Sequence, residues 1–240
     1  MECNTYTISA NERVAHDIYA LRLNGRTDAM VAPGQFINIK LDGFFLRRPF
    51  SVADWDENGL MVYYKTVGEG TRALAQYARG RTINALIGLG HGFDCGCSAR
   101  PLIIGGGVGV PPLFALAKRF ISMGIIPTVL IGFASGADEF LSSEFRLLGC
   151  NTIVTLETDG LRVTDRILEI QSAHDMYFAC GPEGMLRAVH RICRLPGQLS
   201  VETRMACGVG LCRGCTCDTL AGGKRICVDG PVFRKEILRW

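Results

Sequence analysis

The chain is 240 residues long, 48% hydrophobic and 20% charged, with 26 Lys and Arg against 23 Asp and Glu for a net charge of +3. At roughly 150 residues per domain this length holds one to two ordinary domains, and the composition excludes a disordered tail and a collagen-like fibre. So small a basic excess is no footprint for nucleic acid, which shows as a concentrated basic face. From residue 1 to about 98 the pattern is short and β-like. Strands are predicted at 5–10, 18–23, 35–41, 50–53 and 59–66, separated by turn formers such as Asn24-Gly25, Pro33-Gly34, Asp42-Gly43 and Asn58-Gly59. Such spacing suggests a small antiparallel barrel, interrupted by one helix over 71–78 with Thr71 as its cap.

From about residue 99 strands and helices alternate. Strands are expected at 101–107, 127–133, 151–156 and 176–179, and helices at 113–123, 142–148, 164–171 and 183–194. This alternation implies a parallel, doubly wound sheet, which binds ligands at the carboxyl ends of its strands. From about Gln198 the pattern breaks into a glycine- and cysteine-rich segment. The division is therefore 1–98, 99–198 and 199–240.

The N-terminal stretch MECNTYTISANERVA has no basic region leading into an apolar core, so the chain is expected to be cytoplasmic with reduced thiols. The uncharged stretches 101–117 and 120–137 are broken by glycine and proline, whereas a spanning helix wants about 20 continuous apolar residues. No membrane insertion is expected. Of 11 cysteines, five fall between Cys207 and Cys227. Cys207, Cys212 and Cys215 stand in a C-x4-C-x2-C arrangement, and Cys227 follows after eleven residues. That is the plant-type [2Fe–2S] spacing with a shortened final gap. Gly208, Gly210 and Gly214 let the loop wrap and bring backbone N–H groups to the sulfurs. Structural zinc is the alternative, although zinc sites usually pair two C-x2-C knuckles and only one is present. Cys217 reads as a neighbour of the ligands.

LIIGGGVGVPPL follows a strand and opens a helix, the place where N–H groups and the helix dipole favour a pyrophosphate. Gly105, Gly106, Gly107 and Gly109 are its candidates, though the run is not a true GxGxxG and a tight turn without ligand competes. FACGPEGM supplies a second strand-end turn with Cys180, Gly181 and Pro182, where Cys180 is either a packed strand residue or a neighbour of the nicotinamide. In RRPFSVAD, alternation places Arg48 and Phe50 on one face and Ser51 on the other. On those residues alone the reading as an ordinary barrel strand with a solvated arginine prevails.

Together these motifs resemble the ferredoxin–NADP reductase superfamily: RPFS is similar to its RxYS flavin motif, and GGGVGVPPL and CGPEGM to its pyridine-nucleotide motifs. With the C-terminal cysteine pattern and the closing phrase CVDGPVF, nearly the whole chain resembles the electron-transfer subunits of type 1B dihydroorotate dehydrogenases. The resemblance implies that Arg48, Pro49, Phe50 and Ser51 bind FAD, with Lys65, Thr66, Val67, Gly70 and Thr71 completing the site. It also implies Cys207, Cys212, Cys215 and Cys227 as ligands of a [2Fe–2S] cluster. The implied partner is an FMN-containing dihydroorotate dehydrogenase catalytic subunit, in a heterotetramer of two of each, with electrons passing from it through cluster and FAD to NAD⁺ in pyrimidine biosynthesis. In the neighbouring branch, the small subunits of NADH-dependent ferredoxin–NADP oxidoreductases and sulfide dehydrogenases, an aspartate replaces the first cluster cysteine; here the position is Cys207. A zinc-stabilised, non-catalytic module is the alternative from another class. No acid or base is assigned on this chain: His16, His91, His174 and His190 read as structural or surface residues. NAD is favoured over NADP because Ala134, Ser135, Asp138 and Glu139 follow the second strand where NADP would want an arginine.

Overall fold

The computed structural model describes residues 1–240. The N-terminal part is a closed barrel of β1 (Glu2–Ala15), β2 (Ile18–Asn24), β3 (Phe36–Lys40), β4 (Arg48–Asp56), β5 (Gly59–Lys65) and, after helix α1 (Glu69–Leu74), β6 (Thr82–Leu89). Its order is β1-β2-β5-β4-β3-β6, every pair antiparallel. Closure removes the edges that an open sheet would expose. Alternate residues of each strand fill the interior: Ile37 and Ile39 of β3, Leu21 and Leu23 of β2, and Ile83, Ala85 and Ile87 of β6 belong to one buried cluster.

The sixth strand was not among the predicted ones, and the structure shows why. Burial alternates along Thr82–Leu89 with Ile83, Ala85, Ile87 and Leu89 inward, but the outward Leu86 packs against the core shared with the C-terminal segment, so the stretch reads Ala85-Leu86-Ile87 without a polar residue to mark the alternation. Helix α1 also differs from expectation: it starts at Glu69, with Gly68 as N-cap. Thr71 is its third residue, and its Oγ1 accepts from the N–H groups of Val67 (3.0 Å) and Gly68 (3.1 Å).

The second part follows the expected alternation as far as residue 192, and a further strand over 197–200 was not among the expected ones. In chain order it comprises β7 (Pro101–Gly106), α2 (Pro112–Ser122), β8 (Thr128–Phe133), α3 (Ser142–Leu147), β9 (Asn151–Leu156), α4 (Val163–Ile170), β10 (Met176–Cys180), α5 (Glu183–Ile192) and β11 (Gly197–Ser200). The last segment adds the hairpin β12 (Thr216–Thr219) and β13 (Gly222–Arg225), the single turn α6 (Ile226–Asp229), and β14 (Val232–Arg234). The six-stranded sheet runs β14-β11-β10-β7-β8-β9. Five strands are parallel, and β14 returns antiparallel along β11, an edge that the alternation did not foretell.

From β7 the chain winds outward through β8 to β9, then crosses back to β10 on the other side of β7. The order reverses between β7 and β10, and a crevice opens beyond the carboxyl ends of strands at such a reversal. Helix α2 covers one face through Leu113, Leu116 and Phe120, which pack with Phe178 and Ile103. On the other face Val163, Ile167, Leu186 and Val189 of α4 and α5 share a core with Phe36 and Leu89 of the barrel and with Cys215, Ile226 and Cys227. Burying one such large apolar side chain is worth about 1.5–3 kcal/mol, so this shared core fastens the cysteine loop to barrel and sheet together.

Candidate functional site

A cleft of about 240 Å³ lies between the barrel and the sheet. Arg48, Pro49, Phe50 and Ser51 all line it, with Lys65, Val67 and Thr71. Strict alternation would have turned Ser51 away. Instead β4 carries four half-buried residues in succession, and its register against β5 slips between Val52 and Asp54, a bulge that re-aims the strand. Phe50 stands edge-on to Tyr64, ring centres 5.7 Å apart, and Tyr64 stacks on Tyr19 at 5.5 Å.

Arg48 is held from behind. Its Nη1 donates to the Leu46 carbonyl at 2.7 Å, and its guanidinium lies 5.2 Å from the centre of the Phe44 ring. A Cβ on Gly70 would come 3.0 Å from Arg48 Nε, so this glycine is the floor beneath the guanidinium. Gly70 and Thr66 do not line the cleft; the Thr66 amide donates to the Asp17 carbonyl at 2.9 Å and fixes the turn after β5.

The sheet supplies the opposite wall. Gly109, Pro111, Pro112 and Cys180 border the cleft from the reversal between β7 and β10, where Gly105 and Cys180 are register partners. The two glycine turns touch: a Cβ on Gly109 would lie 2.5 Å from Gly181 Cα. Cys180 is buried, and burial pushes its thiol up to about 12 against the opposing effect of a hydrogen bond with Ser200. Gly106, Gly107 and Pro182 border a second cleft of about 410 Å³, further along the strand ends. Gly105 and Gly181 lie beneath these turns and line neither cleft. Of the acids expected near the second cleft, Asp138 accepts from Ser135 Oγ at 2.6 Å and Glu139 from Ser142 Oγ, and neither reaches it. The carboxylate that does is Glu157, paired with Arg162 at 3.5 Å.

Sequence reasoning missed the contribution of Ser200, Val201, Glu202, Thr203 and Met205, which close the first cleft as the chain leaves β11. No motif marks them. Phe36, Tyr63 and Tyr64 of the barrel also line it, and only the aromatic pair after Val62 offered a signal. None of the four histidines borders it.

The cysteine loop follows directly. Cys215 and Cys227 are buried with sulfurs 3.2 Å apart, whereas Cys207 is half-buried and Cys212 exposed. Backbone amides point at the sulfurs: Cys212 N–H to Cys207 Sγ at 3.4 Å, Gly214 N–H to Cys212 Sγ at 3.4 Å, and Cys227 N–H to Cys215 Sγ at 3.5 Å. At Cys207 burial acts upward, but the amides of Cys212, Val209 and Leu211 outweigh it and bring the thiol down to about 6. Positive φ at Gly208 (67°) and Gly210 (84°) makes that nest. No set of three His, Cys, Asp or Glu side chains gathers to hold a single metal ion. Four thiols in two pairs, surrounded by N–H donors, match the chemistry of a larger anionic body better than that of one zinc. Cys217, on β12, is half-buried outside this set of N–H···S contacts.

Comparison with known proteins agrees with this geometry. Residues 202–239 match the iron–sulfur cluster binding domain of dihydroorotate dehydrogenase B. The dihydroorotate dehydrogenase B (NAD(+)) electron transfer subunit of Fusobacterium nucleatum is 36% identical, with 97% of each chain covered. That of Bacillus caldolyticus is 38% identical over 95% of each. Among solved structures, an NADH-dependent reduced ferredoxin–NADP oxidoreductase superposes with a TM-score of 0.88 at 27% identity, covering 98% of this chain and 90% of that one. Phthalate dioxygenase reductase, at 14% identity and a TM-score of 0.67 over 80% of this chain and 64% of its own, shares the fold. A barrel against a doubly wound sheet, a cysteine loop seated on both, and relatives at this identity along almost the whole length lead to one assignment: the chain belongs to the family of dihydroorotate dehydrogenase B electron transfer subunits.

Proposed function

We propose that the first cleft holds FAD, the glycine turns and the second cleft hold NAD(H), and Cys207, Cys212, Cys215 and Cys227 hold a [2Fe–2S] cluster. In this reading residues 1–98, 99–198 and 199–240 are the flavin, nucleotide and cluster units of an electron-transfer subunit. Its partner is an FMN-containing catalytic subunit that oxidises dihydroorotate, two of each forming a heterotetramer in the cytoplasm. No helix of the chain is long and apolar enough to cross a membrane. The observation that carries the reading is the adjacency of the sites: the RPFS strand, both glycine turns and the residues leading into the cysteine loop border one cleft.

The flavin, when bound, supplies the exchange between two-electron hydride chemistry and one-electron transfer. This chain's residues do the holding. Arg48 Nε and Nη2 have no protein partner and are left to donate to a pyrophosphate, a charge-assisted contact. Phe50 and Tyr64 offer apolar surface to a ring system. Gly109 and Gly181 allow the nucleotide to approach the backbone at the sheet reversal. Cys180, a neutral thiol, places no charge beside a nicotinamide. Glu157 borders the second cleft together with its ion-pair partner Arg162, so the wall there carries no net charge against a 2′-phosphate.

The test is composition. The purified chain is expected to carry about one FAD, two irons and two acid-labile sulfides. Cys207→Ala should lose the iron and keep the flavin, while Cys217→Ala keeps both. One zinc per chain without labile sulfide would falsify the cluster assignment.

A further inference from the structure

Strand β3 presents Phe36 and Asn38 on its outer face, two residues apart, and the cysteine loop rests on both. Asn38 is 1% exposed, and its Nδ2 donates to the Cys207 carbonyl at 3.2 Å. A carbonyl can only accept, which settles the orientation of the amide. A Cβ on Gly208 would stand 2.5 Å from that Nδ2 and 3.9 Å from the Phe36 ring, so the loop backbone lies directly against the strand. Phe36 also lines the first cleft. One short strand thus touches the cleft with one side chain and the first cysteine of the loop with the next.

The carboxamide of Asn38 is poorly served by its surroundings. Its Oδ1 is buried with no hydrogen-bond partner. A buried acceptor left unpaired weakens the fold, and a leucine of nearly the same size would avoid that penalty. Packing therefore does not account for an amide at this position. What the amide does that leucine cannot is grip the Cys207 carbonyl.

We propose that Asn38 is a positioning residue that pins the Cys207–Gly208 peptide to the barrel wall, fixing the N–H···S contacts at the first cluster ligand and the separation of cluster and flavin. The inference rests on the flavin and cluster placements proposed above. With the peptide pinned, Cys207 Sγ receives the Cys212 N–H at 3.4 Å. Such donors stabilise the charge added on reduction, so a loop freed from Asn38 holds a cluster that is harder to reduce. One-electron exchange also weakens steeply as two centres move apart. The exchange takes one electron from the reduced centre and gives it to the oxidised one, forms no bond, and needs no reductant beyond NADH.

The experiment uses the full chain with its cofactors bound. Asn38→Leu should keep the iron, sulfide and flavin contents and show a lower cluster midpoint potential with shifted EPR g-values. After mixing with NADH, cluster reduction should slow by at least threefold while flavin reduction keeps its rate. Asn38→Ala, too small to press on Gly208, should move the potential in the same direction. If both variants keep the parent potential and spectrum, with or without a lower melting temperature, Asn38 only fills space and the proposal is overturned. A parent chain without iron or flavin would overturn the site assignments themselves, and this inference with them.

Discussion

Arg48 and Cys180 face each other across the same cleft with opposite needs. The arginine is useful because part of its guanidinium is unspent: one nitrogen is anchored to the Leu46 carbonyl and the remaining donors point nowhere within the protein. Losing a charge-assisted hydrogen bond costs about 1.5–3 kcal/mol, so Arg48→Ala is expected to weaken flavin binding roughly ten- to a hundredfold. Titration of the flavin-free protein measures this, and an unchanged dissociation constant would return Arg48 to a solvated strand position. Cys180 makes a prediction about pH. Burial raises its thiol to about 12, and Cys95 and Cys150 are raised by burial to about 11, from the ordinary 9.0. The unfolded chain therefore releases these protons first. The stabilisation is whole below pH 9 and drains away as pH climbs through 9 towards 12. Denaturant midpoints should fall between pH 8 and pH 10.5, and Cys180→Ala should flatten part of the decline. A slope identical to the parent's would show that Cys180 ionises as freely folded as unfolded.

At the scale of elements the glycine turns after β7 and β10 behave as one unit. A Cβ on Gly109 meets backbone of Gly181, which cannot yield as a flexible side chain could. Gly107 has φ of 51° but open space around its Cβ position. Gly109→Ala should therefore cost on the order of 1–3 kcal/mol through overpacking and weaken NADH binding, whereas Gly107→Ala pays only the left-handed backbone penalty of about 1 kcal/mol. Urea melts of the two variants check the order, and a reversal would mean that the turns are not in contact. Both turns were legible in the sequence, because glycines at strand ends announce themselves by position. So was the cysteine loop, whose spacing is a chemical requirement. The walls that complete the cleft were not. Ser200 to Thr203 and Met205 reach it only because β11 ends at the sheet reversal, a consequence of tertiary winding that no local pattern carries. Likewise β6 and β14 carry little local signal: the outward Leu86 of β6 packs against the shared core, and β14 is three residues long and becomes a strand only by pairing with β11.

Across the whole molecule the cysteine loop is the outward end of a line of sites. The second cleft lies beyond the glycine turns, the first between sheet and barrel, and the loop rests on β3 with Cys212 at the surface. Around it the neighbouring residues divide. Val209 is half-buried and packs into the core, so it shields the sulfurs from within. Leu211 is 84% exposed, and Arg213 beside it is exposed with φ of 58°, a left-handed residue holding the turn open. An exposed leucine and arginine at the rim of a redox loop are the composition of a docking contact, since apolar groups and arginine are favoured at protein interfaces. The chain alone should therefore pass electrons from NADH to artificial dyes and leave dihydroorotate untouched. Adding the matching FMN-containing subunit should restore NAD⁺ reduction by dihydroorotate. Arg213→Glu and Leu211→Asp should weaken that coupled rate about tenfold or more, as rim charge and apolar contact are lost, while dye reduction stays at the parent rate. Oxidation of dihydroorotate by the isolated chain would sink this division of labour, and coupling that survives both substitutions would move the docking surface away from the cysteine loop.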